Sequence, residues 1–242
     1  MRNEVENQAR RLTLLPAVSC CLVILVSVSG FGQAPDDVVP ITMEPDHKIR
    51  LDNGKVRVYE IFLRPGKGTL LHEHRADNFT VNFGDAVVTL EPSGGIATTV
   101  TVATGDVGFA STASGPYTHR VLASGQTDFH GVAVELMSAT PGQETILDRR
   151  ADPPFHLVRE NSRGRAYRIR LAPGASTGQY ARAGTTVLIA ISAGRIAEEI
   201  DGKPRRLWDF ETGHLRWMED PERLSLRNEG PEPVDLVELE IY

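Results

Sequence analysis

Polar and apolar positions alternate in short runs along most of this chain, and residues that favour turns separate the runs. Lys48-Ile49-Arg50-Leu51 alternates, Asp52-Asn53-Gly54 has the composition of a tight hairpin turn, and Val56–Leu63 reads as the returning strand, stopped by Pro65-Gly66. Further strand-like runs follow at 70–74, 80–90, 97–102 and 119–122 and at Phe129–Leu136, with Glu91-Pro92-Ser93-Gly94-Gly95 and Gly105-Asp106 among the turns. Strands recurring every 8–12 residues or so, with no helical stripe between them, predict an all-β sandwich or barrel.

The pattern then comes round again. Leu63-Arg64-Pro65-Gly66 recurs as Leu171-Ala172-Pro173-Gly174, an offset of 174 − 66 = 108, and Gly105 recurs as Gly213 at the same offset. His47 and His156 each open a half, and Asn53 is echoed by Asn161. Two copies of one β unit is the economical reading. The joint is expected at 141–154, in a stretch rich in Pro, Gly and charge.

Composition is ordinary for a globular chain, with 24% charged and 40% hydrophobic residues. The formal net charge of −6 argues against nucleic acid as a partner, because a phosphate backbone calls for a basic face. The N-terminus has its own logic. Arg2, Arg10 and Arg11 precede an apolar run at 12–28 and then small residues, the order of a secretory signal peptide, so 1–34 is read as removed and the mature chain as periplasmic or secreted. A membrane association is expected only through that segment if it stays uncleaved. Both cysteines, Cys20 and Cys21, lie in it, so a metal site in the mature chain must use nitrogen and oxygen ligands.

The chemistry centres on Gly66-Lys67-Gly68-Thr69-Leu70-Leu71-His72-Glu73-His74. In a strand, period two puts His72 and His74 on one face and Glu73 on the other. Two such imidazoles can share a divalent metal if a third ligand joins them, and His119, in Gly115-Pro116-Tyr117-Thr118-His119-Arg120-Val121-Leu122, is the candidate.

Gly66-x5-His72-x-His74, followed by an acidic residue and Gly84, resembles the first cupin motif, and Gly105 through His119-Arg120-Val121-Leu122 resembles the second. The resemblance implies two tandem jelly-roll antiparallel β-barrels, 35–140 and 155–242, with His72, His74 and His119 holding a metal inside the first. Where the family's glutamate usually falls this chain has Asn78 and Phe79. Asp77, which keeps the six-residue gap to Gly84, is therefore the expected fourth ligand or its replacement; otherwise the three histidines hold the metal alone. Strand parity also favours Asp77, since an inward Asp77 turns Phe79, Val81 and Phe83 inward, and with Phe109 these form the expected substrate-binding wall. In the second copy Tyr180 and Arg182 fall at the places of His72 and His74, and the place of His119 falls near Leu224, so that copy is read as metal-free.

The implied function is an exported, metal-dependent oxidoreductase of the dioxygenase kind, acting on a small organic molecule. It would carry one divalent transition metal, Fe, Mn, Zn, Ni or Cu, as a monomer or homodimer. The rival is a non-catalytic protein that binds a small molecule in the same barrel. No catalytic residue is assigned beyond the ligands.

Overall fold

Two runs of strands with the same pairing order make up the architecture, seen in a computed structural model that describes residues 37–137, 148–182, 185–219 and 222–242. The expected signal segment and the first part of the expected joint lie outside the described residues. Those that are described belong to one compact unit, Gln33–Tyr242.

In chain order the first half contains β1 (Val39–Pro40), β2 (His47–Asp52), β3 (Val56–Leu63), β4 (His72–His74), β5 (Asn78–Asn82), β6 (Ala86–Pro92), β7 (Thr98–Val102), β8 (Val107–Ala110), β9 (Tyr117–Ala123) and β10 (Phe129–Leu136). They form one sheet in the order β2-β3-β10-β5-β8 and another in the order β1-β4-β9-β6-β7. The second half contains β11 (Phe155–Asn161), β12 (Gly164–Leu171), β13 (Tyr180–Arg182), β14 (Thr186–Ala190), β15 (Gly194–Ile200), β16 (Arg206–Phe210), β17 (Leu215–Met218), β18 (Glu222–Asn228) and β19 (Val234–Ile241). Its sheets run β11-β12-β19-β14-β17 and β13-β18-β15-β16, the same order with the edge counterpart of β1 missing among the described residues. Pairing is antiparallel throughout except where β1 runs parallel to β4.

Local chemistry explains the turns. Asn53 accepts the N–H groups of Lys55 and Val56 on its side-chain oxygen, and Gly54 takes the left-handed conformation (φ +79°) that closes the β2–β3 hairpin. The 108-residue offset survives in the backbone, since Gly66 and Gly174 both have positive φ, as do Gly105 and Gly213. One expected correspondence shifts. His47 pairs with Ile61 and Phe155 pairs with Ile169, so Phe155, not the exposed His156, stands where His47 does.

The halves join through the β2-β3-β10-β5-β8 sheet of the first and the β11-β12-β19-β14-β17 sheet of the second. Val58, Phe79, Val81, Val132 and Val134 of the first pack with Ala166, Val187, Ile189, Val237 and Leu239 of the second in one buried cluster. The ring of Phe79 lies so close to the backbone at Gly164 that a Cβ there would stand 3.2 Å from it. Burial of Phe79 alone is worth about 2–3 kcal/mol, and the joint is therefore a core in its own right.

This joint corrects the expected parity of β5. Phe79, Val81 and Phe83 belong to the cluster between the halves, while Asn78, Thr80 and Asn82, alternating with them, face into the first half. A sheet that is covered on both faces needs its continuous apolar side for the neighbour that excludes water, which here is the second half.

Candidate metal site and its cavity

His72 and His74 are buried on the short strand β4, and the side chain between them, Glu73, turns outward to Arg75. β9 lies alongside in antiparallel register, pairing His119 with His72 and Tyr117 with His74. Cross-strand neighbours on one face stand about 4.5–5.5 Å apart at Cβ, and this register gathers the three imidazoles. Their ring centroids lie 4.7 Å (His72–His119), 5.0 Å (His72–His74) and 5.1 Å (His74–His119) apart, and one nitrogen from each falls within 4.8 Å of the others.

The hydrogen bonds define which nitrogen is free. His72 Nδ1–H donates to the Leu70 carbonyl at 2.9 Å, and its Nε2 is left buried with no partner. His74 Nδ1 faces the buried carboxylate of Glu135 at 3.4 Å, and its Nε2 lies 3.2 Å from His119 Nε2. Two nitrogens bound to one ion at about 2.0–2.1 Å stand about 3.0–3.4 Å apart in ordinary geometries. Without an ion the two Nε2 atoms are within hydrogen-bonding reach of each other, and a cation between the rings would take a lone pair from each once His119 carries its proton on Nδ1. The charged imidazolium is disfavoured on two of the rings: burial pushes His119 down to about 3, helped by the neighbouring imidazoles, and burial likewise takes His72 down to about 4. Neutral imidazoles with an orphaned, inward-facing nitrogen are what a divalent transition metal requires, and the residues fit such an ion.

Asp77 does not join them. Its Oδ1 accepts the Thr112 N–H at 2.6 Å and the hydroxyls of Thr112 and Ser111, and its Oδ2 lies 3.1 Å from Arg163 Nε of the second half. It precedes β5, and its position in the connecting turn, not strand parity, aims it at the loop before β9. Asn78 takes the inward place, with its amide 3.5 Å from His74 Nδ1 and donating to the Tyr117 hydroxyl at 2.5 Å, while the Tyr117 ring stacks on His74 with 12° between planes.

Two neighbours were not foreseen from sequence. Glu135 is the lone carboxylate in the apolar strand β10, a signal that was there to be read. His47 lies with its ring centroid 4.7 Å from that of His72 and its Nδ1 bonded to Glu44 at 2.6 Å. That hydrogen bond and the Leu70 N–H outweigh the upward push of burial and hold the Glu44 carboxyl below its ordinary value.

His47, His74 and His119 open onto a cavity of about 690 Å³ between the two sheets of the first half. Asn78, Thr80 and Asn82 form a polar wall, and Val88, Leu90 and Val100 an apolar one. Of the four residues expected to line it, Phe109 does so, at the side where it also meets Phe79, with ring centroids 4.8 Å apart.

The corresponding places in the second half hold other chemistry. Tyr180 pairs with Leu224 as His72 pairs with His119. The guanidinium of Arg149 lies 4.6–4.9 Å from the ring centroids of Phe155, Tyr167 and Tyr180 and donates to Glu238 at 2.6 Å and Glu240 at 2.8 Å. At the registers of Leu90, Val100 and Gly108 stand Glu198, Trp208 and Arg216, with Arg216 bound to Glu198 at 2.8 Å and resting over the Trp208 ring. Bulk and paired charge therefore occupy the positions that border the cavity of the first half.

No family model matches the sequence, and no curated protein matches it. Solved structures do match. The crystal structure of AerE from Microcystis aeruginosa superposes with a TM-score of 0.61 at 11% identity, over 78% of this chain and 88% of its own. Oxalate decarboxylase from Bacillus subtilis, studied for its Mn(II) centres, gives 0.53 at 14% identity over 77% and 69%. A structure of an oxalate decarboxylase addressing its substrate binding mode gives 0.54 at 14% over 81% and 75%. At these identities the similarity shows the fold.

Proposed function

We propose that this chain, whose fold is of the cupin type, is an exported metal-dependent enzyme, a dioxygenase-like oxidoreductase acting on a small organic molecule held in the cavity of the first half. The observation that carries the reading is the buried, unpartnered Nε2 of His72 beside the facing Nε2 atoms of His74 and His119, at the inner end of a cavity large enough for a small substrate. His72, His74 and His119 would hold one divalent transition metal, for which Mn is one candidate on the strength of the decarboxylase neighbours. Bound there, the ion would act as a Lewis acid or redox centre toward substrate and O2 at its open positions.

The chain's own residues do the rest. The Leu70 carbonyl fixes the tautomer of His72, and Glu135 holds His74 Nδ1 so that Nε2 faces the cavity. Tyr117 and Asn78 brace His74 from the side, and the valine and leucine wall keeps the chamber dry. The second half braces the first, and its own site positions, filled by Tyr180, Arg182 and Leu224, take no part in holding the metal.

Elemental analysis of the purified mature protein tests the reading. About one transition-metal ion per chain is expected, lost in His74→Ala with the fold retained by circular dichroism. A wild-type protein that folds without metal and takes none up would overturn it. Metal-dependent O2 uptake on an aromatic or diketone panel supports the enzyme, whereas stoichiometric metal without uptake favours a binding protein.

A further inference from the structure

The wall of the cavity is not built by the first half alone. Val158 and Arg159, on β11 of the second half, border it. β11 carries a register break between Leu157 and Arg159, and an extra residue at such a break bends a strand and re-aims the side chains beside it. Arg159 reaches across to β8, where its Nε–H donates to the Val107 carbonyl at 3.0 Å. At the matching place of the first half stands Leu51, which lies against the core instead.

Arg159 makes no ion pair among the described residues, and the donors of its guanidinium beyond Nε–H have no protein partner there. The acidic residue on the same wall, Asp106, is engaged elsewhere: it accepts the Ala103 N–H at 2.8 Å and sits in the field of Arg168. A cavity with imidazoles at one end, an apolar side, a strip of neutral amides and a hydroxyl, and one uncommitted guanidinium at its rim has a clear chemical preference. A guanidinium fork matches the planar geometry of a carboxylate and pairs with it through two parallel hydrogen bonds.

We infer that the cavity takes a small organic carboxylate, with its apolar body against Val88, Leu90 and Val100 and its carboxylate on Arg159. This rests on the reading of the cavity as a substrate chamber, and it gives the second half a part in recognition at a site otherwise made by the first.

The test uses full-length mature protein loaded with Mn(II) or Zn(II), with phenylacetate and hexanoate as probes and their amides, phenylacetamide and hexanamide, as uncharged matches. Binding is measured by calorimetry in low and high salt. Each acid is expected to bind about tenfold tighter than its amide, as suits one partly exposed charge-assisted pair, and the advantage should shrink with salt. In Arg159→Gln the acid and its amide should bind alike, and Arg159→Lys should restore part of the difference. Equal binding of acid and amide by the wild type, no binding of either acid, or an acid preference that persists in Arg159→Gln would each overturn the inference. Metal content of the same samples separates this from the functional reading. A chain with its ion but no acid preference overturns only the role of Arg159, and a chain that takes up no metal overturns the metal-dependent reading.

Discussion

Replacing Arg149 with alanine should be among the most destabilising single changes in this protein, although the residue is far from the histidines in sequence and belongs to the other half. The guanidinium is 3% exposed and bonds to two carboxylates, Glu238 and Glu240, that are 0% and 2% exposed. Alanine leaves both carboxylates buried without their cation, a change that costs about 3–5 kcal/mol, with stacking on three rings lost in addition. In a domain of this size that lowers Tm by roughly 10 °C. The pH dependence is the sharper part of the prediction. Burial, reinforced by Glu238 and opposed by Arg149, already holds Glu240 up at about 7, and removing the guanidinium raises it further. A carboxyl whose folded pKa exceeds its unfolded value contributes stability that is fully present below the unfolded value, near 4.5, and lost as pH rises through the folded one. The deficit of Arg149→Ala should therefore be smaller at pH 5 than at pH 8, by about 1–2 kcal/mol. Urea unfolding followed by the fluorescence of Trp208 and Trp217, both in the second half, measures it. A deficit below about 1 kcal/mol at both pH values, or one larger at pH 5, would show that the buried cluster does not act as described.

Three further outcomes are expected. Asp77→Asn should leave metal content unchanged while lowering stability by about 1–2 kcal/mol, because the carboxylate serves Thr112 and Arg163 and not the metal; loss of the ion in this variant would restore Asp77 as a ligand. Glu135→Gln should weaken metal affinity by about 10–100-fold in chelator competition, since it removes the charge that orients His74, and an unchanged affinity would mean the 3.4 Å approach is incidental. In the metal-free protein His72 and His119 titrate at about 4 and 3 when folded against about 6.5 when unfolded, so their contribution is present above pH 6.5 and is lost as pH falls toward 4. Tm should drop over that interval with a slope that His72→Gln reduces, and a Tm that is flat from pH 7 to 4.5 would refute the burial of neutral imidazoles.

The parts of this design that were legible from the residues are the local ones. His-x-His needs only the two-residue period of a strand, and the 108-residue repeat needs only glycines that must take positive φ. The parity of β5 was not legible, because a strand with Asn78, Thr80 and Asn82 on one side and Phe79, Val81 and Phe83 on the other reads as aromatic inward unless a second sheet is known to cover the outer face. That cover comes from residues more than eighty positions away, as Ala166, Val187 and Val237 show. Strand parity and motif spacing both point to Asp77 as a ligand, but Asp77 stands in the turn before β5, where parity does not hold. Arg149 fell in a stretch that composition marked as a joint, where a buried guanidinium has no sequence signal of its own.

The apolar face that β5 and β10 share with β12, β14 and β19 has a consequence for descent. A half that carries no imidazole site would ordinarily be free to erode or be deleted, yet here its removal would expose Phe79, Val81, Val132 and Val134 together, a ready surface for aggregation. Shedding it would also strip Val158 and Arg159 from the rim of the surviving chamber. The second half is thus held in place by what it touches.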